Sequence, residues 1–322
     1  MAPKLGRLAA TAVLLAGVFG LVGAVQAAEV RHGKDEHLKP NGKGWGELDP
    51  TGETEKNAAK FSRLPNNGIS YHGGPLMLGT PTVYYIWYGN WTPPSPAPNP
   101  TTQTILSNFA SYIGGTGWYN INTTYYDGSN RHVSNAVAFY TTQINDNYSH
   151  GTSLNDTAVQ NIVGSALASN ALPIDPNGVY FVLTSQDVTE TSGFCTQYCA
   201  WHTHGTYTNA GHSYDIKYGF IGNPARCPSA CAEQTNTPNG DLAGDSMASL
   251  IAHELSESVT DPDLNAWFDQ RGQENADKCA WHFGTTSTAS NGSQYNVSVG
   301  SMRYLIQQNW VNASGGYCAL KY

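Results

Sequence analysis

The chain has 322 residues, a formal net charge of -8 at pH 7 and only 12% charged residues. It has no Lys/Arg run to meet phosphates, which argues against nucleic acid as a partner. Its 11% aromatic content is too high for a disordered chain, and the length suffices for one large core or two modest ones.

The first feature is an export signal. Lys4 and Arg7 make a basic start, residues 8–25 are almost wholly apolar, and Val25-Gln26-Ala27-Ala28 has the small residues of a processing site. Residues 1–28 therefore read as a cleavable signal peptide; the apolar run is too short and too rich in Ala and Gly for a membrane anchor. No later stretch is long and apolar enough to span a bilayer, so no anchor is expected after signal removal. The expected location is secreted or extracellular, with the periplasm or cell wall as variants. Residues 29–67 are polar and aperiodic, a flexible leader or pro-segment. Residues 68–322 are the expected folded domain.

Within it, Thr82–Tyr88 is β-branched and aromatic throughout, the pattern of a buried strand. A turn-rich stretch follows, and Ile105, Phe109 and Ile113 then place a helix over residues 101–113. Strands are expected over 119–126 and 136–141. Asn155 or Asp156 can cap a helix over 157–169, with Val159, Ile162, Val163 and Leu167 on one face. Gly178–Thr184 reads as a second buried strand, and 214–221 alternates like a third. A long helix over 244–259 is ended by Pro262. The expected fold is α+β, a single mixed-sheet domain with disulfide bonds.

Six cysteines in an exported chain point to disulfides. The expected pairing is local, Cys195–Cys199 and Cys227–Cys231, with Cys279–Cys318 across a longer distance. The rival is a zinc set of Cys195, Cys199, His202 and His204, which an oxidising compartment disfavours.

The long helix carries His253-Glu254-x-x-Glu257. His253 and Glu257 are four apart and project from one face, where they can bind one cation together. Glu254 then stands where an HExxH metallohydrolase keeps its general base. Leu250, Ile251, Leu255 and Val259 around the motif are core-type residues, so these charges need partners. The acidic stretch from Asp269 to Asp277 can supply a third ligand, Asp277 or its close alternative Glu274. One imidazole with two carboxylates suits zinc, with manganese or iron also compatible. Its anionic character makes the bound water a weaker acid than in a three-histidine site. His202, His204 and His212 can add a ligand or an oxyanion donor, although most such histidines are ordinary polar groups. Asp261, just past the helix end, faces the negative pole of the helix and so needs a local partner.

Several phrases together resemble the EXORDIUM / phosphate-induced protein family of secreted plant proteins and their microbial relatives. They are Tyr71-His72-Gly73-Gly74-Pro75-Leu76, Val83-Tyr84-Tyr85-Ile86-Trp87-Tyr88-Gly89-Asn90-Trp91, Phe194-Cys195 through Cys199, Cys227-Pro228-Ser229-Ala230-Cys231-Ala232 and Val259-Thr260-Asp261-Pro262. The resemblance spans roughly residues 70–322. It implies an apoplastic or cell-wall protein tied to growth and nutrient responses, with no settled biochemical activity. The His253 to Asp277 stretch is similar to microbial secreted relatives with a zincin-like helix, which sets this site apart from plant physiology.

The leading expectation is a secreted metal-dependent hydrolase, a zincin-like peptidase acting on a peptide or cell-wall substrate. His253, Glu257 and Asp277 (or Glu274) would bind zinc, and Glu254 would act as base. The alternative is a non-catalytic wall-associated EXORDIUM-like protein with a structural metal or none. A third reading, a carbohydrate binder, rests on Tyr84, Tyr85, Trp87, Tyr88 and Trp91.

Overall fold

The computed structural model describes Pro40, Gly42, Lys43, residues 68–93 and residues 99–322. The expected signal peptide, and the leader apart from those three residues, lie outside the described residues. The central sheet consists of β1 (Thr82–Tyr88), β2 (Ala138–Phe139), β3 (Ile144–Asp146), β4 (Gly178–Thr184), β5 (Ala200–Asn209) and β6 (His212–Ile221). Their spatial order is β2-β1-β4-β6-β5, with β3 beside β1.

Why these strands lie where they do follows from their side chains. Every residue of β4, and β1 from Val83 on, is buried, so both strands need cover on two faces. Parallel sheets clothed by helices provide that cover, and β1, β4 and β6 run parallel in register. The aromatics Tyr84, Tyr85, Trp87 and Tyr88 are accordingly core, which removes the sugar platform the sequence allowed. β5 alternates polar and apolar, and it returns antiparallel to β6 as the outer strand. The turn between them, Ala210-Gly211, has φ of 48° and 82°, the left-handed pair that tight hairpins favour.

Four helices clothe this sheet among the described residues: α1 (Thr102–Tyr112), α2 (Asp156–Ala168), the single turn α3 (Pro228–Cys231) and α4 (Leu242–Thr260). Thr101, Asn155 and Asp241 cap α1, α2 and α4 by accepting a backbone N–H three residues on. α1 packs on α4, and α4 lies against β5. Side chains alternate along β5, so His202 and His204 face α4 while Trp201 and Gly205 face α2. A Cβ on Gly205 would stand 2.9 Å from Gln160 Nε2 of α2. The two helices therefore cover opposite faces.

Most expected elements form within a residue or two of their predicted ends. Residues 119–126 do not: Tyr119–Thr124 is a 3₁₀ helix. Thr123 and Thr124 donate their hydroxyls to the carbonyls of Asn120 and Ile121 three residues back. Such local bonds offer the backbone an alternative to a strand ladder. β5 was not anticipated at all.

The disulfides are Cys195–Cys227, Cys199–Cys231 and Cys279–Cys318. The third matches expectation, whereas the local pairing of the first four cysteines is corrected. Cys227 precedes the single turn α3 and Cys231 ends it, and their sulfurs lie side by side, 3.6 Å apart, toward Cys195 and Cys199 of the facing loop. The two bridges thus form a ladder tying that loop to the approach to α4. The rival Cys/His zinc set does not form, since all six cysteines are bridged.

Candidate metal centre

α4 is unusual in being buried all round: every residue from Gly244 to Thr260 is buried, polar ones included. A helix so enclosed must bring partners to its own charges. His253 and Glu257 are one turn apart, with His253 Nε2 3.0 Å from Glu257 Oε1. Asp277 closes the first group, its Oδ1 3.5 Å from His253 Nε2. Glu257 also accepts the Asp277 N–H at 3.0 Å. Two residues on, Cys279 is bridged to Cys318, which anchors the turn carrying Asp277.

A second group shares Glu257. From the edge strand β5, His202 Nε2 lies 3.5 Å from Glu257 Oε2 and 3.3 Å from Glu274 Oε2. Ligand atoms of His202, Glu254 and Glu257 lie within 4.8 Å of one another, as do those of His253, Glu257 and Asp277. All six residues are at most 4% exposed. The structure thus brings together every predicted site residue: His253, Glu254, Glu257, Glu274 and Asp277. Glu274 and Asp277 are both present, where the sequence offered them as alternatives.

Charge decides what this cluster can hold. Four carboxylates and two imidazoles share a volume closed to solvent. Burial, with His253 and His204 nearby, lowers His202 to about 3, so its imidazole is neutral and fit to ligate. Burial and then the charges of Glu257, Asp261, Asp277 and Glu254 push Glu274 well above the usual carboxylate range. Glu274 Oε1 and His202 Nδ1 have no hydrogen-bond partner among the described residues. Such a set requires either bound protons or a cation. Ligands about 2.1 Å from a four-coordinate ion stand roughly 3.4 Å apart, close to the contacts here. The residues fit a divalent metal, and His nitrogens with carboxylate oxygens suit zinc, manganese or iron over calcium.

Behind the ligands sits Gln307, which no sequence signal announced. Its side-chain amide contacts His253 Nδ1, and its oxygen accepts the Trp281 N–H at 3.2 Å. Ligation through Nε2 would place the proton on Nδ1, and the Gln307 carboxamide would then turn its oxygen to that proton and give up the Trp281 N–H.

Other expected participants are placed elsewhere. Asp269 is taken by Lys278, whose Nζ is 3.0 Å away. Asp261 has the local partners its position demands, the N–H groups of Asn265 and Ala266 at 2.6 and 2.5 Å. Burial raises it to about 7 despite them. His212 is exposed at the hairpin tip. His204 joins a separate cluster with Asp215, Asp263 and Lys217. His202 is the participant that sequence reasoning undervalued. The signal for it was the run Trp201-His202-Thr203-His204, whose alternation marks a strand with both histidines on one face.

A family model described as the phosphate-induced protein 1 conserved region matches residues 69–319. Protein EXORDIUM-like 3 of Arabidopsis thaliana is 31% identical over 287 residues, covering 78% of this chain and 82% of that protein. Protein EXORDIUM-like 5 of the same plant is also 31% identical, over 62% of this chain and 59% of its own length. Protein PHOSPHATE-INDUCED 1 of Nicotiana tabacum is 26% identical, over 67% and 72% respectively. No solved structure matches the chain. The match takes in the whole sheet, α4 and the acidic turn after it, and the chain belongs to the phosphate-induced protein 1, or EXORDIUM-like, family.

Proposed function

We propose that this is a non-catalytic extracellular, wall-associated EXORDIUM-like protein whose His202/His253/Glu257/Glu274/Asp277 cluster holds a structural divalent metal. The observation that carries this reading is enclosure. Structural metal sites are closed, whereas catalytic ones keep a position open for water or substrate, and every donor here is at most 4% exposed. When bound, the ion supplies the positive charge that lets these carboxylates remain ionised in the interior. His202 and His253 donate from β5 and α4, and Asp277 from the bridged turn, so their ligation ties three separate parts of the chain together.

The test is metal analysis of the purified full chain. One equivalent of zinc, manganese or iron is expected, retained by Glu254→Gln and lost by His253→Ala. Absence of stoichiometric metal from the unsubstituted protein would sink the reading.

One observation favours a second reading, a zincin-like metal-dependent hydrolase. Glu254 shares the group with His202 and Glu257, where a general base would take a proton from water. Peptide hydrolysis that disappears in Glu254→Gln while the metal stays bound would establish this second reading over the first.

A further inference from the structure

The parallel strands β1, β4 and β6 end side by side, at Tyr88, Thr184 and Ile221. Beyond β1 the chain turns through α1 toward β2, whereas beyond β4 it crosses to β5 and β6 on the other side. Neighbouring strands whose connections part in this way leave a crevice beyond their carboxyl ends, where open α/β sheets bind ligands. Such a crevice is present. It encloses about 360 Å³ and is lined by Asn90 and Trp91 after β1, Ser185 and Gln186 after β4, and Asn223 after β6. The Asn90 N–H donates to Ser185 Oγ at 3.0 Å and holds the first two turns together.

Hydrogen-bond donors dominate its wall. The caps Thr101 and Asp241 each take the N–H three residues on, which leaves the N–H groups of Thr102, Gln103, Leu242 and Ala243 without a helical partner. All four residues line the cleft. The Thr102 hydroxyl, 3.0 and 2.9 Å from the two Asp241 carboxylate oxygens, ties the ends of α1 and α4 together. Asn223 is only 4% exposed. Its side-chain oxygen accepts the Ala225 N–H at 3.0 Å, while its NH2 donates to no described residue and is left to the cleft. A buried amide in that state calls for an acceptor from outside the chain.

Charge decides which acceptor. The described lining residues include no Lys, Arg or His, and they include the acidic Asp241. An anion entering here would meet that carboxylate with no cation to offset it, so the acceptor is neutral. Hydroxyl groups meet both needs, since they accept from N–H groups and donate to a carboxylate. Trp91 supplies an apolar surface. Its indole N–H donates to the Tyr88 carbonyl at 3.1 Å and its ring meets Trp87 edge-on at 4.9 Å. These contacts fix a partly buried ring that can cover the C–H face of a sugar.

We propose that the cleft beyond β1, β4 and β6 binds a neutral carbohydrate, a pyranose unit of an oligo- or polysaccharide. Asn223 and the helix N–H groups donate to its hydroxyls, Asp241 accepts from them, and Trp91 covers one face. Asp241 caps the start of α4 and precedes His253 by about 18 Å at the helical rise, so the cleft is a site apart from the metal cluster.

The test exposes the full chain to an array of neutral gluco-, manno-, xylo- and galacto-oligosaccharides, with oligogalacturonate and inorganic phosphate as charged probes. At least one neutral oligosaccharide should bind, and neither charged probe should. Titration with that sugar should then show binding weakened about tenfold or more in Asn223→Asp, which keeps the oxygen for Ala225 but loses the NH2. Gln103→Arg, at a partly exposed position, should weaken it as much by filling the cleft, with the thermal midpoint unchanged. No neutral binder, or a preference for either charged probe, would overturn the sugar assignment. Wild-type affinity in either variant would overturn the site.

Discussion

Two clusters of histidine and carboxylate sit two residues apart on the same face of β5, and they differ in kind. His202 enters a cluster at most 4% exposed, with four carboxylates around it. His204 enters one with Asp215 and Asp263 in which His204 and Asp215 are more than a third exposed. The outer cluster carries its own cation: Lys217 Nζ is 2.7 Å from Asp215 and 3.8 Å from Asp263. Water and a lysine already balance its charge, so metal-like spacing there is the ordinary outcome of a polar surface. The inner cluster has neither solvent nor a lysine of its own among the described residues, because Lys278 is committed to Asp269. Spacing alone does not single out a candidate metal site; spacing in a closed, uncompensated volume does.

The sharpest way to break this contrast is to remove the shared ligand. Glu257→Ala should abolish stoichiometric metal and destabilise the protein by about 3–5 kcal/mol, the scale for breaking a buried charge network. Asp215→Ala should leave the metal in place. Metal analysis with thermal unfolding of both variants reads this directly, and equal losses would erase the distinction.

Next in size is a pH effect at Asp261, which lies between the clusters and feels Asp263 and His204. Burial raises its folded value to about 7 from 3.8, so the folded state holds a proton that the unfolded state has released. This contribution is complete below pH 3.8 and is lost as pH rises through 7, up to about 4 kcal/mol in all. His202 has the opposite sign. Its folded value of about 3 against 6.5 gives stability present above pH 6.5 and lost as pH falls toward 3. The two slopes oppose each other between about pH 4 and 6.5. In chelator-treated protein, Asp261→Asn should uncover the His202 acid limb, measured as a steeper fall in denaturant midpoint below pH 6.5. An unchanged profile would count against both assignments.

Gln307→Leu should weaken metal binding by roughly 10- to 100-fold while leaving the fold intact, as loss of a ligand's orienting partner does. A competitive chelator titration measures it. Wild-type affinity in this variant would show that Gln307 does not orient His253. The smallest effect belongs to the outer cluster. Asp215→Asn should cost at most about 1 kcal/mol, in keeping with exposed ion pairs, and denaturant unfolding at low and high salt should show that cost shrinking as salt screens it.

Legibility divides along similar lines. β1 and β4 could be read because an unbroken apolar run admits few alternatives, and α4 because its helical period and the Pro262 that ends it are local signals. The pair His253 and Glu257 needed only the rise of a helix to be placed on one face. Asp277 and Glu274 were legible as candidates through proximity in the chain. His202 was harder, since it lies about fifty residues upstream and reaches the site only because β5 folds back beside β6. The cysteine pairing was misread for a related reason. Nearness along the chain is a poor guide when two i,i+4 pairs face each other across a gap.

By itself, then, the sequence determined most of the strands and helices, β5 and the 3₁₀ turn over Tyr119–Thr124 excepted, and which side chains share a helix face. Those properties depend on backbone period and local hydrogen bonds. It also determined the inventory of acids and imidazoles near α4. Only the tertiary structure decided that α4 is enclosed on every side, that His202 rather than His204 joins the inner cluster, and that the turns after β1, β4 and β6 line one cleft. Enclosure and charge compensation are sums over neighbours distant in sequence. Whether a carboxylate meets water, a lysine or another carboxylate is settled by packing.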